Sequence, residues 1–284
     1  MENYCRFAPP VDTIPNDSIV YEAWIKYQAS RRGYGKARKF TRFKMFYGYN
    51  TQPVEFELYN GEELVMFETL DPNNSLKTVT WNFPVSPEEI TLKFKGKDSP
   101  DVYGVLLDGN EGIAVDNIPL RGSSGLEFTR LDLNQLSQFF QQMNVKCLIL
   151  QFGLNVVPHI VEDYTFYENR FYRQLKTLKN INPDMAVIVI GVSDMSKKEG
   201  DYYESYPNIE KIRNAQRNAA FRAKCAFWDL YEAMGGKNSM PSWVFADPPL
   251  AGKDFTHFNY KGAQIVAQMF YNALIYEYQL YVNR

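Results

Sequence analysis

Two rhythms of apolar and polar residues run along this chain. From Tyr4 to about Asp108 short segments alternate with a period of two, the mark of strands with one face buried. They are Ile19 to Tyr27, Phe40 to Tyr47, Val54 to Leu58, Leu64 to Phe67, Thr78 to Phe83, Ile90 to Phe94 and Tyr103 to Leu107. Between them Asn60-Gly61, Asp71-Pro72-Asn73-Asn74 and Lys97-Asp98-Ser99-Pro100 supply turn chemistry. Short strands at this spacing, with no helical pattern among them, predict an antiparallel, jelly-roll-like sandwich.

After Asp108 the period changes. Leu131 to Met143 places Leu133, Leu136, Phe139, Phe140 and Met143 on one helical face, and Val145 to Phe152 is a nearly continuous apolar run. Such a run is what a parallel strand buried on both faces requires. The alternation continues with a helix from about Asp163 to Leu178, a strand Ala186 to Val192, a helix from about Asn208 to Lys224, a strand Ala226 to Leu230, and a helix from about Tyr260 to Tyr278. The prediction is an all-β sandwich over residues 1–108 followed by an α/β domain over residues 109–284. The second domain is a parallel three-layer α/β/α arrangement with helices on both faces of the sheet.

Composition narrows the function classes. The 284 residues are 45% apolar and 23% charged, as in an ordinary globular protein. Aromatic residues reach 15%, with 20 Tyr and 20 Phe, which suits strands and sugar-stacking surfaces. A net charge of -2 gives no argument for a nucleic-acid partner. The local basic run Lys36, Arg38, Lys39, Arg42 and Lys44 is interleaved with Phe40, Phe43, Met45 and Tyr47 and reads as the wet face of a strand. Cys5, Cys147 and Cys225 are too scattered for a disulfide framework or a metal site, and Cys147 is expected to be a buried thiol. The sequence contains no membrane-spanning run, and its first residues lack a signal-peptide core.

Candidate chemistry collects where the strands should end, since ligands of open α/β sheets bind at the carboxyl ends of the strands. Gly153-Leu154-Asn155 and Gly191-Val192-Ser193-Asp194 follow two predicted strands. The Asn155 amide suits donation to an oxyanion, and equally suits a turn or helix cap. Arg121-Gly122-Ser123-Ser124-Gly125 precedes a helix and offers backbone amides to an anion, or is a plain glycine loop. Asp254-Phe255-Thr256-His257 sits at the entrance of the last helix and holds one of only two histidines. A carboxylate beside an imidazole fixes its tautomer for general-base work, whereas the bland reading has Asp254 cap a turn and His257 pack at the helix start. The other histidine, His159, lies near Glu162 and Asp163; without a second His this group reads as a solvated helix start rather than a metal site.

Taken together these pieces resemble the SGNH hydrolases, also called GDSL esterases. Gly122, Asn155, and Asp254 with His257 stand in the order and strand-end positions of that family's second, third and fifth sequence blocks, over roughly residues 104 to 280. Ser193-Asp194-Met195-Ser196 and Met234-Gly235-Gly236-Lys237-Asn238-Ser239-Met240 are similar to the bacterial branch related to peptidoglycan and polysaccharide O-acetylesterases. In that branch a β-sandwich is inserted between the first and second blocks. The resemblance implies a flavodoxin-like α/β domain and Ser-His-Asp ester hydrolysis. His257 would be the base, Asp254 its orienter, and Asn155 and the Gly122 amide the oxyanion donors. It implies no cofactor or metal, and an acylated carbohydrate as substrate.

Two departures qualify the resemblance. The third block reads Gly153-Leu154-Asn155-Val156 where the family has Gly-x-Asn-Asp or Gly-Gly-Asn. The first block, Gly-Asp-Ser, has no match. Asn16-Asp17-Ser18-Ile19 imitates it, but Pro9, Pro10 and Pro15 are poor company for a central strand. Ser123 and Ser124 lie in the proposed oxyanion loop, and Ser99 lies in a polar turn. The expectation is that the nucleophile lies upstream of Met1, so that residues 1–284 alone show little esterase activity. A signal peptide there would send the protein to the periplasm or outside the cell. The rival reading is a non-catalytic glycan-binding protein derived from such a hydrolase, which uses the aromatic-rich sandwich of residues 1–108 to hold carbohydrate.

Overall fold

Pairing along the first seven strands follows the period-two pattern. In the computed structural model, which describes residues 6–8, 19–29, 33, 35 and 38–284, these are β1 (Tyr21–Gln28), β2 (Arg42–Gly48), β3 (Val54–Asn60), β4 (Glu63–Leu70), β5 (Leu76–Asn82), β6 (Glu89–Gly96) and β7 (Asp101–Asp108). Every pair is antiparallel, in a four-stranded sheet ordered β1-β6-β3-β4 and a three-stranded sheet ordered β5-β2-β7. Inward residues of both sheets meet in one core that includes Phe43, Met45, Phe56, Leu58, Val79, Leu92 and Phe94. Phe43 and Phe56 stack there with ring centroids 6.3 Å apart. This is the sandwich that the alternation predicts.

The Lys97 to Pro100 turn is not the solvated loop its composition suggests. Asp98 and Ser99 are buried. One Asp98 oxygen accepts from the Thr51 amide and hydroxyl at 2.5 and 2.9 Å, and the other pairs with Arg6 at 2.7 Å. Burial alone would raise the pKa of this carboxyl, but those donors and the Arg6 charge hold it below the ordinary aspartate value. Of the basic run, Arg42 pairs with Asp108 at 3.2 Å and flanks buried Phe43 on β2, while Lys36 lies outside the described residues.

The chain divides into two compact units, residues 1–118 and 119–284. In the second, the sheet is parallel and ordered β12-β9-β8, from β8 (Cys147–Gln151), β9 (Ala186–Ile190) and β12 (Ala226–Trp228). The hairpin β10 (Ser196–Glu199) and β11 (Tyr202–Ser205) stands apart from it. Six helices accompany these strands: α1 (Leu133–Gln142), α2 (Thr165–Ile181), α3 (Ile209–Arg222), α4 (Leu230–Ala233), α5 (Ser239–Val244) and α6 (Tyr260–Val282). The hairpin, α4 and α5 were not foreseen: four- to six-residue elements carry too little periodicity to detect. No helix among the described residues is long and apolar enough to cross a membrane.

Parallel register puts paired residues on the same side of the sheet. Leu150, Val187 and Val189 pack with Phe171, Leu175, Ile212 and Ala219 of α2 and α3. Ile190 and Trp228 instead meet Met240, Val244, Val266 and Phe270 of α5 and α6. The predicted three layers are therefore present. One expectation fails: β8 is not buried on both faces, and Cys147 and Ile149 are exposed. β8 is the edge of this sheet, and α6 buries only Gly262 and Val266 along its 23 residues.

Candidate active site

The loop ahead of α6 is built from the residues the sequence singled out. Asn259 caps the helix, accepting from the Gly262 amide at 3.0 Å, and its own amide donates to the Pro249 carbonyl at 2.6 Å. Gly262 is required by space, because a Cβ there would lie 1.9 Å from the Leu250 carbonyl oxygen. Ala251 and Phe258 form a bridge that closes the loop, with the Gly252 amide donating to the His257 carbonyl at 2.8 Å.

Within this loop Asp254 does two things at once. Its Oδ1 accepts from the Thr256 and His257 amides at 3.0 and 3.1 Å, and its Oδ2 lies 2.7 Å from His257 Nδ1. The turn forces Phe255 to a φ of +55°, a left-handed conformation uncommon for a bulky residue. Phe255 is held there by its buried ring, stacked on Tyr203 with centroids 3.6 Å apart. The His257 ring does not pack at the helix start: its side chain is 74% exposed. Partial burial pushes the Asp254 pKa up, but the His257 ring and the two amides outweigh it and hold the carboxyl below its ordinary value. With Nδ1 turned to the carboxylate, Nε2 is the nitrogen presented to solvent.

Asn155 and the Gly122 loop are joined directly. The Asn155 side-chain amide donates to the Ser123 carbonyl at 2.9 Å. Gly122 has a φ of +76° and Gly125 a φ of +81°; a Cβ on Gly125 would lie 2.8 Å from the Phe152 ring. The loop is tied down by Glu127, a residue sequence reasoning passed over. Its Oε2 accepts from the Ser123 hydroxyl at 2.5 Å and the Leu126 amide at 2.8 Å, and its Oε1 accepts from the Ser124 hydroxyl at 3.4 Å. Burial raises the Glu127 pKa less than these donors lower it. An acid four residues after a serine, just ahead of a short 3-10 turn at Phe128–Arg130, was the available signal.

Deeper, Gln216 of α3 fastens the strand ends to each other. It is fully buried, accepts from the Val192 amide at 2.9 Å and donates to the Phe152 carbonyl at 2.9 Å. Gly153, with a φ of +119°, leaves the room this needs, since a Cβ would lie 2.8 Å from Gln216 Nε2. Tyr167, whose hydroxyl donates to the Ser124 carbonyl at 3.2 Å and accepts from Gln216 at 3.3 Å, extends the same network to the Gly122 loop.

The two supporting motifs also meet. Buried Asp194 accepts from the Ser205 hydroxyl at 2.6 Å and from the Met240 amide at 2.8 Å, and its amide donates to Met234 Sδ at 3.1 Å. The Ser196 amide in turn donates to the Phe255 carbonyl at 3.0 Å, linking this network to the His257 loop. Asp194 is a structural anchor rather than a reacting group.

Among the described residues, the serine candidates are not presented for attack. Ser123 and Ser124 are both engaged by Glu127. Ser99 is buried with its hydroxyl on the Pro100 carbonyl at 3.0 Å, and Ser18 lies outside the described residues. His159 is exposed, and its carbonyl accepts from the Tyr164 hydroxyl at 2.7 Å.

Residues 87–265 match the model of the GDSL-like lipase/acylhydrolase family. Among solved structures, a peptidoglycan O-acetylesterase is similar with a TM-score of 0.60 at 16% identity, covering 96% of this chain and 81% of its own. A carbohydrate esterase family 3 enzyme from Talaromyces cellulolyticus is matched at 20% identity with a TM-score of 0.39, over 57% of this chain and 70% of its own. No curated protein matches the sequence.

Proposed function

The chain belongs to the GDSL-like lipase/acylhydrolase family, and we propose that it is an esterase that removes O-acetyl or another small acyl group from a bacterial glycan by Ser-His-Asp chemistry. The observation that carries this reading is the 2.7 Å contact between Asp254 Oδ2 and the exposed His257 ring. The glycan as acyl carrier follows the peptidoglycan O-acetylesterase, whose fold this chain shares.

In this mechanism His257 Nε2 removes the proton from a serine hydroxyl as its oxygen attacks the ester carbonyl carbon. The Asp254 carboxylate stabilises the imidazolium that forms. The Gly122 amide and the Asn155 side chain donate to the oxyanion of the tetrahedral intermediate, and each such donor typically contributes a factor of about 100 to 1,000 in turnover. Collapse of the intermediate expels the sugar hydroxyl, which takes the proton back from His257. Water, activated by the same ring, then releases the acid and restores the serine. The nucleophile is assigned to none of Ser18, Ser99, Ser123 and Ser124.

The test is acetate release from O-acetylated peptidoglycan by the chain as its gene encodes it. Loss of release in His257→Ala with folding intact supports the reading. Equal release by the two forms overturns it, and saturable glycan binding with no release by either favours a binding protein built on a hydrolase fold.

A further inference from the structure

The outer face of the four-stranded sheet carries an ordered row of side chains that the proposed catalytic chemistry does not use. Trp24 on β1 pairs with Lys93 on β6, Lys93 with Glu57 on β3, and Glu57 with Phe67 on β4. Cross-strand partners share a face, so the four form one line across the sheet. Their inward neighbours Leu92, Phe94, Phe56 and Leu58 are buried, which fixes this line on the solvent side. Trp24 is 67% exposed and Phe67 57% exposed at its two ends.

The middle of the line is polar and held in place. Tyr59, one step along β3 on the same face, donates its hydroxyl to Glu57 at 2.8 Å, and Lys93 Nζ lies 4.2 Å from the centre of the Tyr59 ring. These contacts fix an acceptor and a cation side by side between two flat apolar rings. Three inter-strand steps separate Trp24 from Phe67, about 14 Å, the span of a short run of linked pyranose rings.

We infer that this row is a glycan-binding platform, on which Trp24 and Phe67 stack against sugar rings while Glu57 and Lys93 hydrogen-bond the hydroxyls or acetamido groups between them. The chemistry selects this class of ligand. Sugar rings present flat C–H faces to aromatic rings and polar groups at their edges. A peptide strand adding to the sheet would use the backbone edge instead, and a nucleic acid would need a basic surface, whereas Lys93 is balanced by Glu57 on its row. The inference rests on the proposed function only for the choice of glycan. The platform lies wholly on the sandwich and is independent of hydrolysis.

The experiment titrates the N-acetylglucosamine tetramer, and separately peptidoglycan, into the full chain and follows binding by calorimetry. Trp24→Ala and Phe67→Ala are each expected to weaken binding at least tenfold with an unchanged melting temperature, and Trp24→Phe to recover part of the loss. Absence of saturable binding to both probes overturns the platform, as does binding that survives Trp24→Ala together with Phe67→Ala. Platform binding without acetate release counts against the esterase reading alone.

Discussion

Asp254 binds His257 twice, through the backbone amide at 3.1 Å with one carboxylate oxygen and through ring Nδ1 at 2.7 Å with the other. The turn cap and the proposed base–orienter pair, alternatives when the sequence is read alone, use the same contact set. The turn that brings the ring over the carboxylate is closed by that carboxylate, so loop geometry and imidazole tautomer are set by one group.

Asp254→Asn should separate these roles. A side-chain amide keeps one oxygen for the Thr256 and His257 amides but no longer fixes which ring nitrogen carries the proton. By the precedent of other triads, ester hydrolysis should fall by roughly 1,000- to 10,000-fold, with little change in melting temperature. Nitrogen shifts of the His257 ring should report a mixed tautomer. An unchanged tautomer with unchanged hydrolysis would show that the carboxylate only closes the turn.

Acid should release both loops later than ordinary carboxyls titrate. The folded pKa values of Asp254 and Glu127 lie below their reference values of 3.8 and 4.5. A depressed folded pKa contributes stability that is fully present above the unfolded value and is lost as pH falls through the folded one. Amide resonances of His257 and Leu126, followed by NMR from pH 6 downward, should therefore move with midpoints under those reference values. Midpoints at or above them would contradict the hydrogen-bond account.

Gly262→Ala tests the helix entrance. The added Cβ would overlap the Leu250 carbonyl, so the 250–262 loop must move. The cost expected for such overpacking is about 1–3 kcal/mol by urea unfolding, together with loss of the Asn259 cap seen in the Gly262 amide shift. A neutral effect would mean that α6 starts differently.

Gln216→Leu keeps the volume but leaves the Val192 amide and the Phe152 carbonyl without their partner. Each buried group stranded in this way costs about 1–3 kcal/mol, to be read from urea unfolding. The Asn155 side-chain resonance should also shift, because Gln216 also supports Tyr167 and so the Ser124 end of the Gly122 loop. Loss of stability with an unmoved Asn155 resonance would confine Gln216 to the core.

Local pattern determined a large part of this protein. Alternation along Val54 to Leu58 or Ile90 to Phe94 is enough to specify a strand and its buried face, because side chains on a pleated strand have only two directions. The helical stripes before and after Val145 to Phe152 likewise specify α1 and α2. The candidate residues Gly122, Asn155, Asp254 and His257 stand out in the sequence because they fall in the loops expected between strands and helices, and the structure places all four in such loops.

What the sequence could not carry are relations between distant segments. Composition makes Lys97 to Pro100 a wet turn, yet Asp98 is buried because Thr51, 47 positions away, and Arg6, 92 positions away, supply its donors. Cys147 and Ile149 look like core in an apolar run, but only the strand order places β8 at an edge. Glu127 and Gln216 are unremarkable in one dimension. They acquire their roles because buried polar groups must be paired, and only the tertiary structure decides which partners come within reach.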